Sequence, residues 1–166
     1  GYNAFDLSKE KGSRIESRSI TQHEAMGCPV TYLGCYAEKY RAEGDSTLTN
    51  GLRGDWGYLE GRWQGFIDST GMDVVVDMGK VTEIRDVEVD FMHQYDAVIY
   101  APASVELMVS DDGKNYKTID TAQPGVKTKE AYLVYPYRWK GNAKGRYVRV
   151  RALSREKDAW IFTDEV

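Results

Sequence analysis

Apolar residues recur along most of this chain with a period of two, and they do so in short bursts. Met72 to Met78 (MDVVVDM) is dense in β-branched residues and ends at Gly79, which predicts a strand closed by a turn. In Ile84 to Phe91, Val87, Val89 and Phe91 alternate with Glu88 and Asp90, the pattern of a sheet with one wet face. After Pro102, Val105, Leu107 and Val109 alternate again. Asp111-Asp-Gly-Lys then predicts a tight turn leading back through Tyr116 to Ile119, a hairpin. Ala131 to Tyr135 predicts another strand. In Arg146 to Leu153, Val148, Val150 and Ala152 alternate with Arg149 and Arg151, which read as a solvated strand face open to cross-strand pairing. Upstream the signal is thinner. Ile15 to Ile20 has the look of an edge strand, Thr31-Tyr-Leu of a connection, Tyr36 to Arg41 of one helical turn, and Gly44-Asp-Ser-Thr of a solvated linker. About eight short strands with turns every eight to twelve residues predict an all-β fold, an antiparallel sandwich or jelly roll. Residues 1–47 form an arm with the first strands, and 48–166 the sandwich, with the arm joined to it in one domain.

One stretch follows no period. Leu48 to Phe66 (LTNGLRGDWGYLEGRWQGF) reads as a long ordered loop, with glycines at 51, 54, 57, 61 and 65 permitting tight backbone turns. Asn50 and Asp55 add side-chain oxygens beside carbonyls that such turns direct inward. Hard oxygen donors of this mixture suit Ca²⁺, while Asn-Gly is equally the commonest turn dipeptide, so the residues alone leave metal site and plain turn both open. The segment His93-Gln-Tyr-Asp-Ala-Val-Ile-Tyr100 reads as a second loop with polar and aromatic members.

Composition supports the class. Twelve tyrosines, four tryptophans and sixteen glycines fit pleated surfaces and their turns. A net charge of −4 argues against a nucleic-acid binder, which would need a basic face to displace counterions from phosphate. No run approaches the roughly eighteen apolar residues of a membrane span, and the N-terminus lacks the basic-then-apolar pattern of a signal peptide. Cys28 and Cys35, with glycine and proline between them, leave open a small disulfide loop or two free thiols. Two sulfurs and the isolated His23 and His93 do not make a zinc site. The chain has no G-x-S-x-G elbow, no H-E-x-x-H and no phosphate-cradling loop. Asp55 and Glu60 share a loop as a glycosidase pair would, but nothing else marks these two acids among twenty-six.

Four stretches in this order, LTNGLRGDW, DVVVDMGKVTEI, SVELMVSDDGKNY and GRYVRVRA leading to WIFTDEV, resemble the discoidin family. These are the coagulation factor five/eight type C domains, and within them the family 32 carbohydrate-binding modules. The likeness runs from about Leu48 to Val166 and is nearest to the version appended to bacterial glycoside hydrolases such as family 20 β-hexosaminidases. It implies an eight-stranded jelly-roll β-sandwich, non-catalytic, secreted, periplasmic or on the bacterial cell surface, and compatible with a place in a larger glycoside hydrolase. It also implies a structural Ca²⁺ where the turn at Asn50-Gly51 meets the C-terminal Asp-Glu-Val. Asn50, Asp55 and Glu165 would give side-chain oxygens, and Leu48 and Leu52 carbonyls. Asn50 stands where the family usually has Asp, removing one negative charge from the set.

The resemblance further implies a glycan site on loops at the calcium end, where rings stack on a sugar and polar side chains fix its hydroxyls. The candidates are Trp56 and Tyr58 on the long loop, His93, Gln94 and Tyr95 on the second loop, and Trp160 before the last strand. Trp56, Tyr58 and Trp160 are equally candidates for the core, and His93 for an ordinary surface histidine. Trp63 and Phe66 match packed positions. The function implied is recognition of a terminal hexose or N-acetylhexosamine. The alternatives are an accessory domain that packs against a catalytic neighbour and an adhesion-type domain, and for the latter the acidic balance offers little support.

Overall fold

The computed structural model describes residues 23–54, 59, 61–67, 71–124, 131–156 and 158–166. Among these, seven strands form a wholly antiparallel ladder: β1 (Val30–Gly34), β2 (Gln64–Phe66), β3 (Met72–Gln94), β4 (Ser104–Ser110), β5 (Lys117–Ala122), β6 (Tyr132–Leu153) and β7 (Ile161–Thr163). The run expected to stop at Gly79 continues, so Met72–Met78 and Ile84–Phe91 are parts of one strand. Likewise the strands expected at 131–135 and 146–153 belong to β6.

β3 and β6 pair along their length, from Met72 opposite Ala152 to Gln94 opposite Tyr132, with register shifts between Asp77 and Thr82 and between Ile84 and Asp86. Irregularities of this kind bend a strand pair. The bend is fixed by Asp77, whose Oδ1 accepts the Gly79 N–H at 2.8 Å, with Gly79 in the left-handed region (φ +85°) that a side chain would resist. Arg146 closes the other side, donating from Nε and Nη2 to the two Asp77 oxygens at 2.8 and 3.0 Å. That bidentate pair holds the Asp77 carboxyl below its ordinary value.

The bend divides the ladder into two halves. β1, the first part of β3, the last part of β6, β4 and β5 make one; β2, β7, the last part of β3 and the first part of β6 make the other. Their alternating apolar residues meet in one core: Val74, Val105, Leu107 and Val150 from the first half, Phe66, Val89, Phe91 and Ile161 from the second, with Leu48 beside them. The fold is a β-sandwich, as the strand pattern predicts. On the first half's outer face Arg149 clasps Asp73 at 2.6 and 2.8 Å, as expected of cross-strand pairing there.

The upstream segment is more ordered than its sequence announces. Thr31-Tyr-Leu lies within β1, which pairs with β3. The polar Gly44-Asp-Ser-Thr begins a 3₁₀ helix (Gly44–Thr49) whose Thr47, Leu48 and Thr49 are buried, which corrects the linker reading. The cause is distant in sequence: the buried Gln64 amide donates to the carbonyls of Arg41 and Gly44, and its oxygen accepts the Tyr32 hydroxyl at 2.8 Å. Satisfied this way, the turn's polar groups enter the interior without penalty. A second short 3₁₀ helix (Glu38–Tyr40) stands where a helical turn is expected. Cys28 and Cys35 lie on either side of β1, so a five-residue strand keeps them roughly 13 Å or more apart, beyond disulfide reach, and both are free thiols. The Asp111–Lys114 turn joins β4 to β5, with the Asp112 carboxylate accepting the Lys114 and Asn115 N–H groups at 2.8 Å. The possible edge strand at 15–20 lies outside the described residues.

Candidate functional site

Two groups of candidate residues emerge, and β7 separates them. Trp160 immediately precedes this strand and Glu165 follows it by two residues. Among the described candidates, Gln94, Tyr95 and Trp160 gather at one end of this strand, and Glu165, with Asp164 beside it, at the other.

At the ring end, β3 runs on to Gln94, which exchanges hydrogen bonds with Ile99 (2.8 and 3.2 Å) around a 3₁₀ turn, Tyr95–Ala97. Ile99 in turn bridges to Trp160: the Trp160 N–H donates to the Val98 carbonyl at 2.9 Å and the Tyr100 N–H to the Trp160 carbonyl at 3.1 Å. Gln94, Tyr95 and Trp160 thus belong to one hydrogen-bonded unit. The Trp160 ring is half-buried, held edge-on by Tyr40 (centroids 5.0 Å) and Phe162 (5.6 Å). Tyr95 is 36% exposed and stacks on Tyr100 at 6.0 Å. Rings supported from behind keep their orientation without a ligand, which lowers the entropy lost when one binds.

Val98 closes this turn at φ +57°, a conformation that a β-branched residue adopts only under strain. Its side chain is also 42% exposed, so packing does not account for it. Strain of this kind collects where a loop must be held in one shape for function. Val98→Asn, a residue that tolerates the left-handed region, is expected to stabilise the domain by about 1 kcal/mol and raise Tm by about 2–4 °C in a thermal melt.

His93 is placed differently from its loop-surface reading. It lies inside β3, fully buried, with Nδ1 accepting the Ala101 N–H at 3.1 Å and the ring against Tyr100. It has no surface to offer a ligand. The signal was present: 93 continues the inward parity of 87, 89 and 91. Trp56 and Tyr58 lie outside the described residues, as does Asp55. Trp63 and Phe66 are core residues, as predicted.

At the carboxylate end three contacts tie the loop after Leu48 to the chain's last residues. The Val166 N–H donates to the Leu48 carbonyl (2.9 Å), the Gly51 N–H to Glu165 Oε2 (2.7 Å) and the Gly54 N–H to Asp164 Oδ2 (2.8 Å). Asn50 Oδ1 accepts the Leu52 N–H at 2.8 Å, shaping the turn at Gly51 (φ +79°). Asp164 and Glu165 are each only 1% exposed. Burial pushes the Asp164 carboxyl up to about 7 against the pull of Arg53, whose Nη1 lies 3.5 Å away and also bonds Asp90 at 3.2 Å. Glu165 Oε2 is 2.6 Å from His23 Nε2, whereas Oε1 is buried with no hydrogen-bond partner.

An orphaned buried carboxylate oxygen is what a hard cation would satisfy. Leu48, Asn50 and Glu165 converge on this turn, and a carbonyl or amide oxygen that accepts one N–H keeps a second lone pair. The donors fit Ca²⁺. Among the described residues no group of three or more His, Cys, Asp and Glu side chains is gathered for a metal, so any site here draws on carbonyls and the amide. Arg53, Asp164, Tyr40 and Gln64 were not singled out in the sequence. Asp164 had one signal, its place beside Glu165 after an apolar run.

The family model described as "F5/8 type C domain" matches residues 35–166. No curated protein matches the chain in sequence. Among solved structures, chitosan-binding module 1 from the chitosanase/glucanase of Paenibacillus sp. IK-5 is 15% identical with a TM-score of 0.56, over 87% of this chain and 96% of that one. CpGH89CBM32-5 from Clostridium perfringens, solved with GalNAc-β-1,3-galactose, is 12% identical with a TM-score of 0.54, over 82% and 90%. SpGH29 is 14% identical with a TM-score of 0.54 over 87% of this chain, which spans only 27% of that longer one. At these identities the likeness is one of fold.

Proposed function

The chain belongs to the F5/8 type C domain family, and from that membership we propose that it is a non-catalytic carbohydrate-binding module for a terminal hexose or N-acetylhexosamine. The observation that carries this reading is the ring unit. Tyr95 is exposed on a Tyr100 backing, Trp160 is propped by Tyr40 and Phe162, and Gln94 stands in the same hydrogen-bonded turn. A ring of either kind covers the apolar face of a pyranose, and the Gln94 amide can both donate to and accept from its hydroxyls. The solved relatives support the class, since one is a chitosan-binding module and another was solved with a GalNAc-terminated disaccharide.

A shallow site of this kind gives millimolar to high-micromolar affinity, about −4 to −6 kcal/mol, which becomes useful through avidity in a longer parent protein. A glycoside hydrolase acting outside the bacterial cell is the parent we infer, in keeping with the place of the fold in a longer chain such as SpGH29. The net charge of −4 argues against a nucleic-acid partner. Among the described residues no helix is long and apolar enough to cross a membrane.

Ca²⁺ completes the proposal. Leu48, Asn50, Leu52, Asp55 and Glu165 would hold it, and its part would be to lock the loop after Leu48 onto the end of β7. The unpartnered Glu165 Oε1 supports this placement.

A glycan array on the domain, with Tyr95→Ala and Trp160→Ala alongside, tests the reading. Selective signal on hexosamine- or galactose-terminated glycans is expected, reduced about five- to thirtyfold in each variant, since one stacked ring is worth about 1–2 kcal/mol. A blank array from folded, calcium-supplied protein would favour the accessory reading, in which this end packs against a catalytic neighbour. Loss in a Trp56→Ala, Tyr58→Ala variant instead would move the site to the long loop.

A further inference from the structure

Beside the ring unit stands a lysine that, among the described residues, has no carboxylate within ion-pair distance. Lys39 lies in the short 3₁₀ helix Glu38–Tyr40, is exposed, and holds its ammonium over the Tyr40 ring, 5.2 Å from the centroid. The neighbouring Glu38 is drawn instead to Arg41, at 3.5 Å. Tyr40 in turn meets Trp160 edge-on at 5.0 Å, so the ammonium and the indole are no farther apart than these two steps together. A pyranose stacked on the indole, with an exocyclic carboxylate and one hydrogen bond beyond it, covers about that distance.

The helix that carries Lys39 is fixed from below. Its N-cap residue Ala37 donates its N–H to the Gly65 carbonyl at 2.8 Å, and the Tyr40 N–H donates to the Ala37 carbonyl at 2.9 Å. Gly65 permits this close seating, since a Cβ there would lie 2.8 Å from the Phe162 ring and 3.1 Å from the Tyr40 Cβ. A lysine loses rotamer freedom when it grips a ligand, and the contact with Tyr40 removes part of that cost beforehand.

The other charges of this end give the site a direction. Asp96 follows the exposed Tyr95, and burial first, then the Glu156 carboxylate, raises the Tyr100 phenol, so both acids lie toward the Tyr95–Tyr100 stack. Asp158 is exposed in the loop before Trp160, and in the same loop Arg155 turns its Nη2 to the Pro124 carbonyl at 2.7 Å. An acidic group on a bound sugar is therefore repelled on the Tyr95 side and attracted on the Tyr40 side. We propose that Lys39 is a specificity-determining residue of the ring unit, reading the carboxylate of a hexuronic acid whose ring stacks on Trp160. This rests on the carbohydrate-binding reading above and narrows its preferred hexose to an acidic one, with neutral hexoses bound more weakly.

The test is titration of the folded full chain with galacturonate- and glucuronate-terminated oligosaccharides, their methyl esters, and the galactose- and glucose-terminated counterparts. The acid is expected to bind about three- to tenfold more tightly than its ester, the range of one exposed charge-assisted hydrogen bond. That ratio should persist in Lys39→Arg and fall to parity in Lys39→Met, which keeps most of the side chain's length without its charge. A wild type that binds ester and acid equally overturns the inference, and so does a preference that survives Lys39→Met. In either case binding of the neutral sugars leaves the carbohydrate reading standing. No binding to any of these sugars would overturn both.

Discussion

Glu165→Ala is expected to cost about 3–5 kcal/mol, a fall in Tm of roughly 6–20 °C. The carboxylate is 1% exposed and serves two groups at once, the Gly51 N–H at 2.7 Å and His23 at 2.6 Å. Truncation leaves a backbone donor unsatisfied in the interior and frees the loop after Leu48 from one of its three ties to the chain's last residues. Glu165→Gln separates charge from hydrogen bonding. Its amide oxygen can still accept from Gly51, so a loss of only about 1–2 kcal/mol would say that the hydrogen bond matters most. Calcium supplies the third arm. If Glu165, Asn50 and the carbonyls of Leu48 and Leu52 hold Ca²⁺, calcium at a hundred times Kd stabilises the wild type by about 2.7 kcal/mol relative to chelator. Both variants should lose that response. A wild type indifferent to calcium, with Glu165→Ala still severely destabilised, would leave the Gly51 and His23 contacts as the whole of this residue's part in the fold.

How far the sequence foretold this arrangement depends on the range of the interactions involved. Period-two runs found the strands and the Asp-Gly turn found the hairpin, because both signals are local. The continuity of β3 was hidden, since Gly79 has the form of a strand end and the bend is pinned by Arg146, 69 residues from Asp77. The burial of the turn that begins at Gly44 was hidden for a similar reason: the amide that satisfies the Arg41 and Gly44 carbonyls belongs to Gln64, 23 and 20 residues away. At the candidate site, Gln94, Tyr95 and Trp160 were legible as individual residues. Their union through Ile99 was not, because a pair of isolated bridges leaves no periodicity. His93 could have been excluded from a surface site by carrying the alternation of Val87, Val89 and Phe91 one step further, but the aromatic, polar character of 93–100 suggested a loop. That Trp160 and Glu165 stand at the two ends of one strand follows from the place of β7 between β2 and β3, which no motif encodes.

Those two ends are nonetheless joined through one contact, and Gly54→Ala should expose it. A Cβ at Gly54 would fall within the indole of Trp63, which is 2% exposed and packed with Met92, Ile99 and Phe162. The backbone has little freedom to retreat, because the Gly54 N–H is held by Asp164 at 2.8 Å. If it did, Asp164 would lose the bond to Oδ2 while Oδ1 has no hydrogen-bond partner either. Overpacking costs about 1–3 kcal/mol and a lost hydrogen bond to a buried carboxyl about another 1, so a total near 3 kcal/mol is expected, with Tm down by roughly 6–12 °C. A smaller ring makes room. In a Trp63→Phe background the added methyl should cost at least about 1 kcal/mol less than in the wild type, a coupling that urea denaturation of the four-protein cycle measures. Additive costs would mean that Gly54 is required by its backbone rather than by the indole. The same cluster carries Ile99 and Phe162, the supports of Tyr95's turn and of Trp160. A displaced Trp63 therefore reaches the ring unit, and glycan affinity should fall in Gly54→Ala protein that is still folded. Unchanged affinity there would show that the ring unit keeps its shape independently of the loop at the opposite end of β7.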